Sequence, residues 1–129
     1  MRIYIAGPYT PKSKDPHKAV KEAHSNVDRA IRVAIKLIEK GHYPFIPHLT
    51  HYIHVHPECK DLGSKFYYQY NLSFLQYWAE ALFFIAPSKG ANMEKDLAEK
   101  LGLPIYYRLD QVPDVATSQR EDESDDSVY

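Results

Sequence analysis

The chain has 129 residues, 44% of them hydrophobic and 26% charged, enough for one compact core and too few for two ordinary domains. No apolar run reaches about 18 residues, the length that spans a bilayer, and the opening MRIYIAGPYT lacks the long apolar stretch of a signal peptide; a cytoplasmic, membrane-free protein is expected. The formal net charge of -1 hides a division, because residues 110–129 hold seven acids against Arg120 alone and so leave residues 1–109 with a surplus of +5.

That surplus suits an anionic small molecule, whereas its even spread over many lysines makes no stripe that would track a nucleic-acid backbone, so no nucleic-acid partner is expected. Residues 110–129, polar, acidic and without helical or strand period, read as a flexible tail on a domain spanning 1–109. The single cysteine, Cys59, excludes an intramolecular disulfide and a cysteine-based zinc cluster.

In chain order, the β-rich run Arg2 to Ala6 predicts a first strand that stops at Gly7-Pro8. Val27, Ala30, Ile31, Ala34 and Ile38 recur at helical spacing, with Ser25 or Asn26 as the expected cap and Gly41 as the stop. Tyr43 to Ile46 predicts a second strand, and the histidine-rich segment after Pro47 allows a short helix. Residues Lys65 to Trp78 predict an aromatic helix in which Phe66, Tyr70, Phe74 and Trp78 fall at steps of four, a stripe expected to be core or a dimer face. The unbroken apolar run Ala81 to Ala86 suits a central parallel strand covered on both faces. A helix with Met93, Leu97 and Leu101 on its expected buried face follows, and Pro104 to Tyr107 predicts the last strand. Strands alternating with helices of this length predict a single α/β domain, a Rossmann-like or flavodoxin-like parallel sheet flanked by helices.

In such a sheet the ligand crevice lies beyond the carboxyl ends of the strands. Two loops are therefore singled out: Gly7-Pro8-Tyr9-Thr10 after the first strand, and Ser88-Lys89-Gly90-Ala91-Asn92-Met93-Glu94 leading from the central strand into a helix. Free N–H groups and the positive dipole end at that helix start would hold an anion, with the Ser88 hydroxyl beside them and Gly90 admitting close backbone approach. The same field would keep Glu94 ionised, and a carboxylate there can attack an electrophilic carbon or stabilise an oxocarbenium-like charge. First-turn glutamates are also favoured for capping alone.

Ile3-Tyr4-Ile5-Ala6-Gly7, Tyr70-Asn71-Leu72, and Pro87 to Glu94 with Ala98 and Gly102 resemble, in this order over about residues 1–109, the nucleoside 2-deoxyribosyltransferase superfamily, which includes the 2'-deoxynucleoside 5'-monophosphate N-hydrolases. The resemblance implies cleavage of an N-glycosidic bond by double displacement, without metal or organic cofactor. It places the nucleophile that attacks C1' at Glu94 and the tyrosine that orients this carboxylate at Tyr4. Ser88 falls where the transferases carry an aspartate for the sugar 5'-hydroxyl and the monophosphate hydrolases a serine. The physics agrees, since an aspartate would repel a 5'-phosphate that a hydroxyl and free amides would bind, with Lys89 adding charge.

Asn71 departs from the family's aspartate near the leaving base, and an amide cannot deliver a proton at neutral pH. His48 and His51, just past the second strand, are candidates for the missing acid. The predicted site is thus catalytic Glu94, Tyr4 and Asn71, with Gly7, Pro8, Tyr9, His48, Ser88, Lys89, Gly90 and Asn92 binding substrate. His48, His51, His54 and His56 with Glu58 and Cys59 match no strong zinc spacing, so no metal is expected and the segment reads as a polar lid.

The expected reaction is hydrolysis of a 2'-deoxynucleoside 5'-monophosphate to free base and deoxyribose 5-phosphate. Base exchange by a deoxyribosyltransferase is the alternative within enzymes, and a noncatalytic nucleotide-binding module the alternative outside them. The resemblance further implies a homodimer or larger homo-oligomer, for which the aromatic helix offers an interface.

Overall fold

A computed structural model describes residues 1–115. Four strands, β1 (Arg2–Ala6), β2 (Tyr43–Phe45), β3 (Ala81–Phe84) and β4 (Ile105–Tyr106), form one parallel sheet in the order β2-β1-β3-β4. Between them run α1 (Pro16–Glu39), a 3-10 turn (Pro47–Thr50) continuing into the single-turn α2 (His51–His54), α3 (Ser64–Tyr77) and α4 (Lys89–Lys100). The expected α/β architecture is therefore observed, with β1 and β3 as its two inner strands.

Strand alternation sorts the side chains into two cores. Ile3, Ile5, Ala81 and Phe83 face α1, where Ala30, Ala34 and Leu37 cover them. Tyr4, Ala6, Leu82 and Phe84 face the opposite side, where Leu75 of α3 and Ala91 and Ala98 of α4 cover them. Tyr4 is thereby delivered to the α4 side of the sheet with no solvent exposure. The chain leaves β1 towards β2 and leaves β3 towards β4, so the topological switch point lies between β1 and β3, where open α/β sheets bind ligands.

Several expected details are corrected. Helix α1 begins ten residues before its expected cap: Asp15 is the N-cap and accepts from the His17 amide at 3.0 Å, and Pro16 takes the first helical position, where its missing N–H costs nothing. On α4 the buried residues are Ala91, Glu94 and Ala98, while Met93 and Leu101 are exposed. Small side chains let this helix seat close to the sheet, and the bulky ones stay at its rim. On α3 the buried residues are Tyr67 and Leu75, and the four-step aromatics instead make a ladder running from the surface inward. Phe66 and Tyr70 are exposed, Tyr70 meets Phe74 at 5.8 Å, and Phe74 stacks on Phe45 at 4.1 Å.

The ordered body also continues past residue 109. A 3-10 turn over Leu109–Gln111 carries Val112 into the α1-side core, and the Val115 amide donates to the Lys40 carbonyl at 2.8 Å. Residues 110–115, expected to begin the tail, are held by these contacts, and the rest of that acidic segment lies outside the described residues.

Candidate active site

At the switch point the Tyr4 hydroxyl donates a hydrogen bond to Glu94 Oε2. Each partner comes from a different element, Tyr4 from the middle of β1 and Glu94 from the buried face of α4. Because α4 starts at Lys89, Glu94 sits in its second turn, past the free amides that a capping glutamate would serve. Capping therefore does not account for it. The dipole field expected to keep it ionised falls off within the first turn, and burial wins instead: only 7% exposed, its carboxyl is pushed up to about 7, with the Tyr4 hydrogen bond pulling the other way. Burial, and then the neighbouring carboxylate, drive the Tyr4 phenol well above its usual value, so it stays a donor.

Sequence reasoning missed Tyr68, half-buried on α3. Burial first and the charge of Glu94 second raise its phenol above the usual value, and it also acts on Tyr4. The signal was available, since Tyr68 is one turn before both Asn71 and Leu72 on the helix side that leads to buried Leu75. It was masked by the more regular aromatic series beside it.

The loop after β3 is organised as expected at its first residue. Ser88 is the N-cap of α4 and its Oγ accepts from the Ala91 amide at 3.0 Å. The Asn92 amide turns to the Ser88 carbonyl at 2.9 Å, so the Lys89 and Gly90 amides precede the first intrahelical bond and point out of the helix start. A side chain at Gly90 would meet open space. Lys89 and Asn92 are on the exposed side of this turn.

The loop after β1 and the segment after β2 are tied together. Gly7 is buried against Ile85, whose Cβ would lie 3.1 Å from any side chain built there, a tight approach that a larger residue could keep only if Ile85 shifted. His48 Nε2 donates to the carbonyls of Gly7 and Pro8 at 3.2 and 3.1 Å. Tyr9 is hydrogen-bonded to His51 Nδ1 and its ring meets the His48 ring edge-on at 6.2 Å. From α3, Asn71 Nδ2 donates to Thr50 Oγ1 at 3.4 Å. His48 Nδ1 and Asn71 Oδ1 are buried with no hydrogen-bond partner.

These bonds count against the two histidines as the missing acid. Burial lowers the pKa of His48 and its Nε2 proton is committed to two carbonyls; His51 is lowered too, by burial and then by His24 and His54, and its Nδ1 is engaged by Tyr9. His54 is drawn elsewhere, stacking on Tyr67 at 4.8 Å, and His56 Nδ1 accepts from the Glu58 amide. Among the described residues no group of three or more His, Cys, Asp or Glu side chains could hold a metal ion.

The predicted residues thus fall into two bonded groups, Tyr4 and Glu94 with Ser88 capping the same α4, and Gly7, Pro8, Tyr9 and Asn71 tied to the segment that carries His48, Thr50 and His51. A surface cavity of about 440 Å³ lined by Tyr52, Ile53, His56, Glu58 and Cys59 lies on the segment after β2 and includes neither Glu94 nor Asn71. No family model and no curated protein sequence matches the chain. Among solved structures it is similar to the 2-deoxyribosyltransferase of the psychrotolerant bacterium Bacillus psychrosaccharolyticus, with a TM-score of 0.61 and 16% identity over 92% of this chain and 95% of that one. The fold is therefore that of a deoxyribosyltransferase.

Proposed function

We propose that the chain is an enzyme that cleaves the N-glycosidic bond of a 2'-deoxynucleoside 5'-monophosphate, with water as the final acceptor. The observation that carries this reading is the Tyr4–Glu94 hydrogen bond, a buried carboxylate with no structural partner of its own kind at the switch point of the sheet. Ionised Glu94 attacks C1', the C1'–N bond breaks, and the base departs with the bonding pair and takes a proton from water. Water then attacks C1' of the glycosyl-Glu94 ester, releasing deoxyribose 5-phosphate and the carboxylate. Tyr4 holds the carboxylate in line and stays protonated throughout.

A 5'-phosphate, rather than a free hydroxyl, is supported by Ser88 together with the outward Lys89 and Gly90 amides, which form an anion cradle without any carboxylate. Base exchange is the second reading, favoured by the fold shared with a 2-deoxyribosyltransferase. Both use the same glycosyl-Glu94 intermediate and differ in whether water or a second base attacks it. The exposed aromatics at the outer end of α3, Phe66 and Tyr70, support the expected homo-oligomer.

Chromatography of the free base released from ribo- and deoxyribonucleosides and their 5'-monophosphates tests the proposal. Release from the deoxynucleotides, lost in Glu94→Ala, is the expected result. A new nucleoside formed when a second base is supplied would make the protein a transferase. Nucleotide binding with neither release nor exchange would overturn both enzyme readings in favour of a binding module.

A further inference from the structure

Two buried lone pairs beside the site point to what the leaving base carries. The Thr50 hydroxyl donates its only hydrogen to the Pro47 carbonyl at 2.8 Å, so towards Asn71 its oxygen can only accept. This orients the Asn71 amide, turning Nδ2 to Thr50 and leaving Oδ1 as a bare acceptor. His48 is fixed by the same logic. Its Nε2 faces two carbonyls and must carry the proton, so the neutral ring presents an unprotonated Nδ1, also buried and unpartnered. His48 belongs to the 3-10 turn after β2, and Asn71 is bonded to that turn through Thr50.

Buried polar atoms without partners are uncommon in folded proteins, and two bare acceptors, one on a turn and one on the side chain bonded to that turn, are matched by a ligand that brings donors. An exocyclic amino group carries two N–H bonds and meets bare lone pairs favourably, whereas a carbonyl oxygen in its place would set lone pair against lone pair. Resting on the glycosidase reading above, we propose that His48 Nδ1 and Asn71 Oδ1 form an acceptor-only subsite that selects amino-bearing nucleobases over their oxo counterparts. Thr50 is then a positioning residue for specificity, acting through the Asn71 amide without touching the substrate.

The test compares kcat/KM for base release in two matched pairs of 5'-monophosphates, deoxycytidylate against deoxyuridylate and deoxyadenylate against deoxyinosinate. The amino member of each pair is expected to be preferred by at least about tenfold. Thr50→Val keeps the shape but removes the hydroxyl, freeing the amide to turn its NH₂ towards an oxo base, and the preference should fall below about threefold. Asn71→Asp, which presents an acceptor whichever way it turns, should keep the amino preference even if the rate changes, and it decides the matter if Thr50→Val does not fold. Equal rates within both pairs, an oxo preference, or a preference untouched in folded Thr50→Val would overturn the subsite while leaving the glycosidase reading intact. No base release from any of the four nucleotides would overturn that reading and the subsite with it.

Discussion

Tyr4 and Glu94 stand on a wall made of β1, β3 and α4, where Ala6, Leu82, Leu75, Ala91 and Ala98 are all buried around them. His48 and Thr50 stand on a wall made of a 3-10 turn, which buries Pro47 and His48, and the single-turn α2, which buries no residue and leaves Tyr52, Ile53 and Val55 exposed. The first wall is a carboxyl held by the core of the fold. The second is held by a few hydrogen bonds to Gly7, Pro8, Tyr9 and Asn71, so it is the part that can open at small cost. With Glu94 only 7% exposed, the proposed reaction requires one wall to move, and the second is expected to be the one that does.

The largest expected effect breaks the rigid wall at its reacting atom. Glu94→Ala should reduce base release by at least about 10³-fold, because removing a nucleophile removes the covalent path altogether. Steady-state assays with an intact circular dichroism spectrum would check it. Residual activity within tenfold of wild type would remove Glu94 from the reaction.

How far the sequence foretold these walls follows from the kind of signal each left. The unbroken apolar run Ala81 to Ala86 announced a central strand covered on both faces, and β3, buried throughout, is one of the two inner strands. Ser88 was placed correctly at the start of α4, since a serine cap is a local device, whereas Glu94, read as a first-turn residue, lies in the second turn. The faces of α3 and α4 were misjudged because large apolar residues were taken as the buried ones, whereas Ala91 and Ala98 let α4 sit close to the sheet. Proximity between β1 and α4 is tertiary and no local pattern encodes it, so the Tyr4–Glu94 pair was implied by the resemblance alone. The lone acceptors on His48 and Asn71 could not be foreseen either, as they depend on where Pro47, Gly7 and Pro8 turn their carbonyls.

A second prediction treats the same carboxyl as a term in stability. Its pKa rises from an ordinary 4.5 to about 7 on folding, so between those values the folded state holds a proton that the unfolded state has released. Stability from this group is therefore complete below about pH 4.5 and lost as pH rises through about 7, a change of about 3 kcal/mol. Glu94→Gln has no such charge to bury and should be more stable than wild type at about pH 8 and no more stable at about pH 4. Urea denaturation at the two values would show it. The wild-type rate should move the opposite way, rising with pH through about 7 as Glu94 ionises for attack.

Tyr4→Phe sharpens the contrast by removing only the orienting bond. The hydroxyl lowers the carboxyl's pKa, so its loss should carry the acid limb of the pH–rate profile to higher pH. The rate above that limb should fall by roughly 10- to 100-fold, the usual consequence of a reacting group left free to turn. An unmoved limb would mean that Tyr4 serves packing alone.

The smallest effect belongs to the loose wall. Ile53 is 48% exposed on α2, so Ile53→Ser removes little buried surface and should change stability by less than about 0.5 kcal/mol. Leu75, fully buried on α3, gives the counterpart, and Leu75→Ala should cost about 2–5 kcal/mol through transfer and cavity terms together. The comparison becomes informative when stability and opening are measured on the same variants. Amide hydrogen exchange in residues 47–63 should be fast in wild type and in Ile53→Ser alike, while β1 and β3 exchange only with global unfolding. Were Ile53→Ser to cost as much as Leu75→Ala, the segment after β2 would be part of the core, and entry to Glu94 would have to come from the Gly7–Thr10 side.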